Sequence, residues 1–164
     1  MRIGKRWWVL GPLGLLIVAL VAVQFVPTGF SHSNPPVVAE PAWDSPATRA
    51  LAVQACFDCH SNETEWPWYS RVAPMSWLVE ADVKKGRAAL NFSEWTPEAA
   101  VETEEVVEVI AKGQMPLPYY TILHPEARLS AKEKGQLTAG LMTTLEGSDA
   151  ELTTDDLNRP DSDN

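Results

Sequence analysis

The longest hydrophobic feature of the chain is an apolar run from Val9 to Val26, in which Gln24 is the one strongly polar residue. Three cations precede this run, at Arg2, Lys5 and Arg6. Eighteen helical residues reach roughly 27 Å, which is near the lower limit for crossing a bilayer. Cations that flank a membrane helix favour the cytoplasmic side. The pattern therefore predicts a single-pass helix in the cytoplasmic (inner) membrane, with the N-terminus inside the cell and the rest of the chain on the periplasmic side.

The ends of the chain differ in composition from its middle. No small-residue cleavage site directly follows the apolar run, so residues 1–26 are interpreted as an uncleaved signal that acts as a membrane anchor through residues 9–26. Residues 27–46 contain five prolines and predict an extended stalk. Residues 148–164 are acidic and poor in apolar side chains, which predicts a disordered tail. One folded domain is expected over residues 47–147.

The polar and apolar positions of residues 47–147 follow helical rather than strand periodicity, which predicts an all-α fold. The first helix is expected to begin at Pro46, with Ser45 as its N-cap. A second helix is expected from Ser76 to Leu90. A third is expected to begin after Thr96, because Pro97 suits the first helical position.

Two later signals define the end of the third helix and the start of the last one. Gly113 directly after Lys112 is a normal helix stop. Ser130 and Glu133 form a capping-box pattern, which predicts the start of a final helix. Its core face is expected to carry leucines four residues apart, at positions 137, 141 and 145, with Met142 also in the core and Gly140 allowing close approach of another helix.

Charge narrows the range of partners. After residue 26 the chain carries 10 Lys and Arg residues against 22 Asp and Glu residues, a net charge of −12. Nucleic acid is therefore not expected as a partner, because binding to a phosphate backbone requires a positive surface. A basic docking protein fits this balance better.

The segment Cys56-Phe57-Asp58-Cys59-His60 is the strongest chemical signal in the chain, because C-x-x-C-H is the attachment pattern of c-type haem. Two thiols three positions apart lie on one side of a helical turn, where both can add to the vinyl groups of one porphyrin. His60 follows the second thiol and is expected to bind the iron as an axial ligand. The sequence thus predicts one covalently bound haem c per chain.

Three other kinds of site could use two cysteines with this spacing. A redox dithiol should accompany a βαβ pattern, which is not found, and a zinc site needs four Cys or His ligands. The chain has two cysteines in total. A Cys56–Cys59 disulfide in a haem-free interaction module would suit an exported protein, but it leaves the adjacent histidine unexplained.

Met115 is the predicted second axial ligand. It lies beyond the helix stop at Gly113, next to Pro116, whereas methionines that fill core gaps usually lie inside regular elements. A methionine ligand is typical of electron-transfer haems. His124 is the rival ligand, although an exposed loop histidine is the simpler reading of it.

Several supporting roles are expected around the haem. Arg71 and Arg87 are candidate partners for the haem propionates. The Nδ1 proton of His60 is expected to be held by a backbone carbonyl within residues 66–74. Aromatic side chains are candidates for the wall of a flat apolar cofactor or for plain core, namely Trp66, Trp68, Tyr69, Trp77, Phe92 and Trp95.

Taken together, these motifs resemble the bacterial haem-binding domain family of small, membrane-anchored or exported, cytochrome c-like proteins. The segments that carry the resemblance are Cys56 to Ser61, Trp66 to Ser70, Ala73-Pro74, Ser76 to Leu78, Gly86-Arg87, Leu90 to Trp95, Met115-Pro116 and His124-Pro125. The resemblance implies covalent haem c at Cys56 and Cys59, with His60 and Met115 as axial ligands. The family often reads Met-Pro-Pro where this chain has Met115-Pro116-Leu117-Pro118.

The sequence is therefore interpreted as a membrane-anchored monohaem c-type cytochrome with a cytochrome c-like helical domain. Such a protein passes single electrons between redox partner proteins and is not an enzyme. The alternative is a haem-based redox or gas sensor, or a peroxidase-like haem enzyme, with a labile sixth ligand. No nucleophile with a nearby base and no pair of carboxylates with catalytic spacing was found, so no catalytic residue is assigned.

Overall fold

The computed structural model describes residues 7–26, 32–96 and 101–158. Within these ranges there are seven α-helices: α1 (Trp7–Val23), α2 (Pro46–Ala55), α3 (Phe57–His60), α4 (Met75–Ala89), α5 (Thr103–Ala111), α6 (Tyr120–Leu123) and α7 (Ala131–Asn158). Two short 3-10 helices lie at Trp68–Arg71 and Pro125–Ala127. The described residues contain no β-strand, only an isolated bridge between Ala39 and Glu94. The all-α prediction is confirmed.

The chain divides into two compact units, one made of residues 1–33 and 66–82 and the other of residues 34–65 and 83–164. In the first unit, the amide of Gln24 donates to the Ala73 carbonyl at 3.0 Å, and its oxygen accepts from the Ala73 N–H at 2.9 Å. His32 Nε2 lies 2.7 Å from the Ser70 carbonyl, and its ring contacts Trp66 edge to face. The one strongly polar residue of the apolar run therefore has a specific backbone partner.

The predicted anchor is only partly described, because residues 1–6 lie outside the described ranges, as do residues 27–31 of the predicted stalk. Helix α1 has 17 residues, and its described side chains are largely exposed. Over residues 7–26, 32–96 and 101–158, no helix combines the length and the hydropathy that a membrane crossing requires.

Two helices of the second unit begin where the sequence predicts. Ser45 is the N-cap of α2, and its hydroxyl accepts from the Thr48 N–H at 3.2 Å. Ser130 and Glu133 form the predicted capping box before α7, since the Ser130 N–H donates to Glu133 Oε2 at 2.7 Å and Ser130 Oγ accepts from the Glu133 N–H. Both predicted starts are confirmed.

Helix α7 supplies one side of the core of the second unit. Leu137, Leu141 and Leu145 are at most 1 % exposed, which confirms the predicted leucine face. Gly140 lies on the same helix against Thr48 of α2, where an added Cβ would collide with the threonine side chain. Met142 is 44 % exposed, so its predicted place in the core was wrong. It follows Leu141 by one residue, a turn of about 100° that carries its side chain away from the buried face.

Two predicted boundaries differ from the structure. Val101 and Glu102 are not helical and α5 begins at Thr103, so the predicted helix start near Thr96 was wrong, while residues 97–100 lie outside the described ranges. Acidic residues in the first turn of α5 favour the observed start, because they lie near the positive end of the helix dipole. Helix α7 continues to Asn158, into the segment predicted to be a disordered tail, and residues 159–164 lie outside the described ranges.

The predicted stalk also needs correction, because residues 34–46 belong to the second unit. The Val38 N–H donates to the Ser93 carbonyl at 2.8 Å, and the Asn62 amide donates to the Pro36 carbonyl at 3.1 Å. Trp43 packs against the hydrophobic core. Proline fixes the backbone angle φ but does not prevent the carbonyls of this segment from accepting hydrogen bonds. The proline-rich composition therefore did not reveal that this segment packs on the rest of the unit.

The close approach at Gly140 gives a stability prediction. Gly140→Ala should lower the free energy of unfolding by about 1–3 kcal/mol, because the Thr48 side chain leaves no space for a methyl group. Gly135→Ala on the same helix is the matched control, since its added Cβ meets nothing within 4 Å. The control should be neutral or stabilising by up to about 1 kcal/mol. Urea unfolding of both variants checks the difference, and equal effects would show that the helix contact is not tight.

Candidate functional site

The two cysteines and His60 lie on one short turn that follows α2 directly. The N–H groups of Cys59 and His60 both donate to the Cys56 carbonyl, at 3.1 and 2.9 Å, which makes this turn helical. Cys56 and Cys59 are separate thiols in the structure. Burial, followed by the neighbouring Cys59, raises the pKa of Cys56 to about 12, so this thiol is protonated at neutral pH. Both cysteines and His60 therefore belong to one helical turn, with Cys56 at its N-cap.

The imidazole of His60 is oriented by the backbone that follows α4. His60 Nδ1 lies 3.1 Å from the Leu90 carbonyl oxygen, to which it can only donate. The pKa of His60 is lowered, mainly by burial, while hydrogen bonds to the Leu90 and Gly86 backbone oppose this effect. A neutral ring that donates from Nδ1 carries its lone pair on Nε2, which is the form that binds metals. The expectation of a partner within residues 66–74 was wrong, because the chain returns to His60 at Leu90 instead.

Gly86 makes that return possible. An added Cβ at Gly86 would collide with the Cys59 carbonyl, so a glycine is needed where α4 passes the cysteine turn. The sequence contained a signal for this contact, because a glycine inside a helix usually has a packing reason.

A cavity of about 350 Å³ opens beside His60 in the second unit. His60, Cys56, Met115 and Pro116 line it together. The rest of its wall is mainly apolar and comes from α2, α4, α5, α7 and the segments between them: Ala55, Ala89, Leu90, Phe92, Val101, Val106, Val109, Ile110, Leu137 and Leu141. The volume and lining are typical of a cofactor site.

Met115 reaches this cavity because α5 stops where the sequence predicts. Gly113 has φ 68°, a left-handed conformation that favours glycine, and its N–H donates to the Ile110 carbonyl at 3.0 Å. The N–H groups of Gln114 and Met115 then both donate to the Val109 carbonyl, at 2.9 and 3.2 Å. The backbone of Met115 is thus attached to the end of a helix that itself lines the cavity.

The rival ligands lie elsewhere. His124 does not line the cavity; its Nδ1 lies 2.9 Å from Glu126 Oε1, and its ring stacks on Tyr120 with centroids 4.2 Å apart. Met75 belongs to the other unit, and Met142 is exposed. Of the methionines and histidines discussed above, Met115 and His60 are the ones that the structure brings to one cavity.

The expected supporting residues are only partly found at the cavity. Phe92 lines it, and Trp95 is buried but does not. Arg87 donates from Nε to the Ser61 carbonyl at 2.8 Å and from Nη2 to Thr64 Oγ1 at 3.0 Å, so it braces the chain just after His60. The remaining aromatic candidates and Arg71 belong to the other unit.

The charged groups of the cavity lining are both acidic. Glu102 and Glu105 lie at its edge, and both are exposed. A negatively charged group of a ligand is therefore disfavoured at this edge. In the part of the chain that the structure describes, no three His, Cys, Asp or Glu side chains lie close enough to share a metal ion.

Sequence reasoning missed one contact of the cysteine turn. The Tyr120 hydroxyl donates to Asp58 Oδ2 at 2.6 Å. The pKa of Tyr120 is raised, first by burial and then by the hydrogen bond to Asp58, so the phenol remains a hydrogen-bond donor. No spacing rule links residues 58 and 120, and only the tertiary structure brings them together.

Comparison with known proteins gave one match. The family model described as a haem-binding domain matches residues 18–143. No curated protein and no solved structure matched the chain significantly.

The packing of Gly86 on the cysteine turn can be tested directly. Gly86→Ala should lower the free energy of unfolding by about 1–3 kcal/mol and reduce the fraction of purified chains that carry haem, because the Cys59 carbonyl must move. Lys85→Ala, a change at the preceding exposed position of the same helix, is the control. Urea unfolding and haem absorbance per chain measure the two effects. Full haem loading of the Gly86 variant would show that the turn tolerates the shift.

Proposed function

The chain belongs to the haem-binding domain family, and from this premise we propose that it is a membrane-anchored monohaem c-type cytochrome that transfers single electrons outside the cytoplasmic membrane. Membership implies a haem cofactor. The observation that carries the finer proposal is the single apolar cavity that Cys56, His60 and Met115 line together. When bound, the haem iron supplies reversible one-electron chemistry.

Each of these residues has a distinct role in the proposal. Cys56, which lines the cavity, and Cys59 on the same turn would hold the haem through two thioether bonds. His60 presents Nε2 to the iron, because Nδ1 is held by the Leu90 carbonyl. Met115, which lines the same cavity, would hold the iron through its thioether sulfur, a ligand that would favour the reduced iron and raise the potential. The apolar wall excludes water from the site, as suits a carrier rather than an enzyme.

The proposed location of the protein in the cell is inferred from the N-terminal segment. Arg2, Lys5 and Arg6 precede an apolar run whose helical part, α1, has largely exposed side chains. Residues 9–26 would bury this surface in the cytoplasmic membrane, with the haem domain on the periplasmic side. A membrane tether keeps the domain at a high local concentration near membrane-bound partners. The net charge of −12 after residue 26 favours redox partners with a basic docking surface.

The covalent bond and the uncleaved anchor are tested by one mass measurement. Protein expressed in a bacterium that matures c-type cytochromes should be recovered from the membrane fraction with the mass of the full chain plus one haem. Cys56→Ala/Cys59→Ala should lose the haem mass and remain in the same fraction. A shorter chain in the soluble fraction would contradict the anchor, and a haem-free wild-type chain carrying a disulfide would contradict the cytochrome.

The role of Met115 is tested by Met115→Ala in the purified holoprotein. The methionine-ligated low-spin spectrum should be lost, the reduction potential should fall, and the reduced protein should bind carbon monoxide stoichiometrically because the sixth position is open. Met142→Ala removes an exposed methionine from α7 and should change none of these properties.

The same experiment separates the carrier from a sensor or a peroxidase-like enzyme. A carrier should not bind carbon monoxide before Met115 is replaced. Binding by the wild-type protein, with little spectral change in the Met115 variant, would favour the alternative with a labile sixth ligand.

A further inference from the structure

The segment that carries Met115 is connected to the cysteine turn by the side chain of Tyr120. Asp58 lies between the two cysteines, in α3, and its Oδ2 accepts from the Tyr120 hydroxyl at 2.6 Å. The other carboxylate oxygen of Asp58 accepts from the Glu65 N–H at 2.9 Å, which orients the carboxylate. One hydrogen bond thus joins the turn that carries His60 to the segment that carries Met115.

The segment after Met115 buries little apolar surface, and an exposed hydrogen bond from Arg128 Nε to the Thr121 carbonyl at 2.7 Å joins α6 to the residues that follow it. Helix α6 is a single turn without a buried residue, and its Ile122 and Leu123 are 68 % and 53 % exposed. Hydrophobic burial therefore contributes little to the position of this turn. The Thr121 N–H donates to the Leu117 carbonyl at 3.2 Å, a contact within the segment itself.

The other anchors of this segment lie at its ends. Met115 N–H is bonded to the Val109 carbonyl of α5 at 3.2 Å, and further along Gln54 Nε2 donates to the Glu126 carbonyl at 2.7 Å. The Gln54 contact is exposed to solvent, where a hydrogen bond contributes little. Between these two points, the half-buried Tyr120 makes a side-chain hydrogen bond with the cysteine turn.

We propose that Tyr120 is a positioning residue for Met115: through Asp58 it keeps the Met115 segment closed against the cysteine turn and so controls access of external ligands to the sixth position of the iron. This inference rests on the proposed function, because it takes Met115 as an axial ligand. Loss of the hydroxyl raises the fraction of molecules in which the segment is open. The apparent affinity for a competing ligand rises in proportion to that fraction.

The test is an imidazole titration of the oxidised holoprotein, followed through loss of the methionine-ligated spectrum. Tyr120→Phe should bind imidazole about tenfold more tightly than the wild type, since a hydrogen bond to a charged group is typically worth such a factor. Asp58→Ala should have the same effect, and the double variant should go no further than either single one. Asp58→Asn should restore most of the wild-type affinity, because its amide can donate to the tyrosine oxygen while its carbonyl accepts from Glu65.

The control is Ile122→Ala, which removes a 68 % exposed apolar side chain from the same turn and should leave imidazole binding unchanged. Thermal unfolding of all variants checks that the titrations report on folded protein. If Tyr120→Phe does not accumulate as folded protein, the comparison of Asp58→Ala with Asp58→Asn tests the same hydrogen bond.

The outcomes separate this inference from the proposed function. If the wild-type spectrum does not depend on Met115, the proposed ligand and the positioning role are both wrong. If the wild type is methionine-ligated but Tyr120→Phe binds imidazole no more tightly than the wild type and Ile122→Ala do, the positioning role is wrong and the proposed function stands.

Discussion

An imidazole that binds a metal must present one nitrogen and fix the other, and in this protein the Leu90 carbonyl holds Nδ1 of His60. That contact requires α4 to end beside the cysteine turn, which in turn requires a glycine at position 86. Phe92 then donates its N–H to the His60 carbonyl at 2.8 Å, so the chain on both sides of Leu90 is fixed to the same residue. The remaining features of the site are arranged around this fixed ring.

The hydrophobic core and the cavity share several residues. Ala55, Phe92, Ile110, Leu137 and Leu141 belong to the hydrophobic core cluster and also line the cavity. A small domain has few apolar side chains to bury, so a large apolar cofactor would complete its core. Binding energy that favours only the folded chain adds to its stability. Haem binding and folding are therefore expected to be strongly linked in this family member.

The two predicted axial ligands are held in different ways. His60 lies on a turn packed between α2 and the chain after α4, whereas Met115 follows a helix stop and leads into a segment with exposed apolar side chains. Segments with few buried apolar contacts open more readily than a packed core. In the proposed site, the contact between Tyr120 and Asp58 would limit such opening near Met115.

Interactions between residues close in sequence determine several elements of this protein. The helix starts at Ser45 and Ser130, the stop at Gly113, the leucine face of α7 and the cysteine motif all depend on neighbouring residues, so the sequence by itself predicts them. The tertiary structure alone decided the Leu90 partner of His60, the contact between Asp58 and Tyr120, and the packing of residues 34–46. These contacts join residues 26 to 62 positions apart, and no local preference encodes such choices. The position of Met115 depends on both kinds of information. The helix stop at Gly113 predicts that the chain leaves α5 before Met115, and only the packing of α5 and α7 brings Met115 to the cavity of His60.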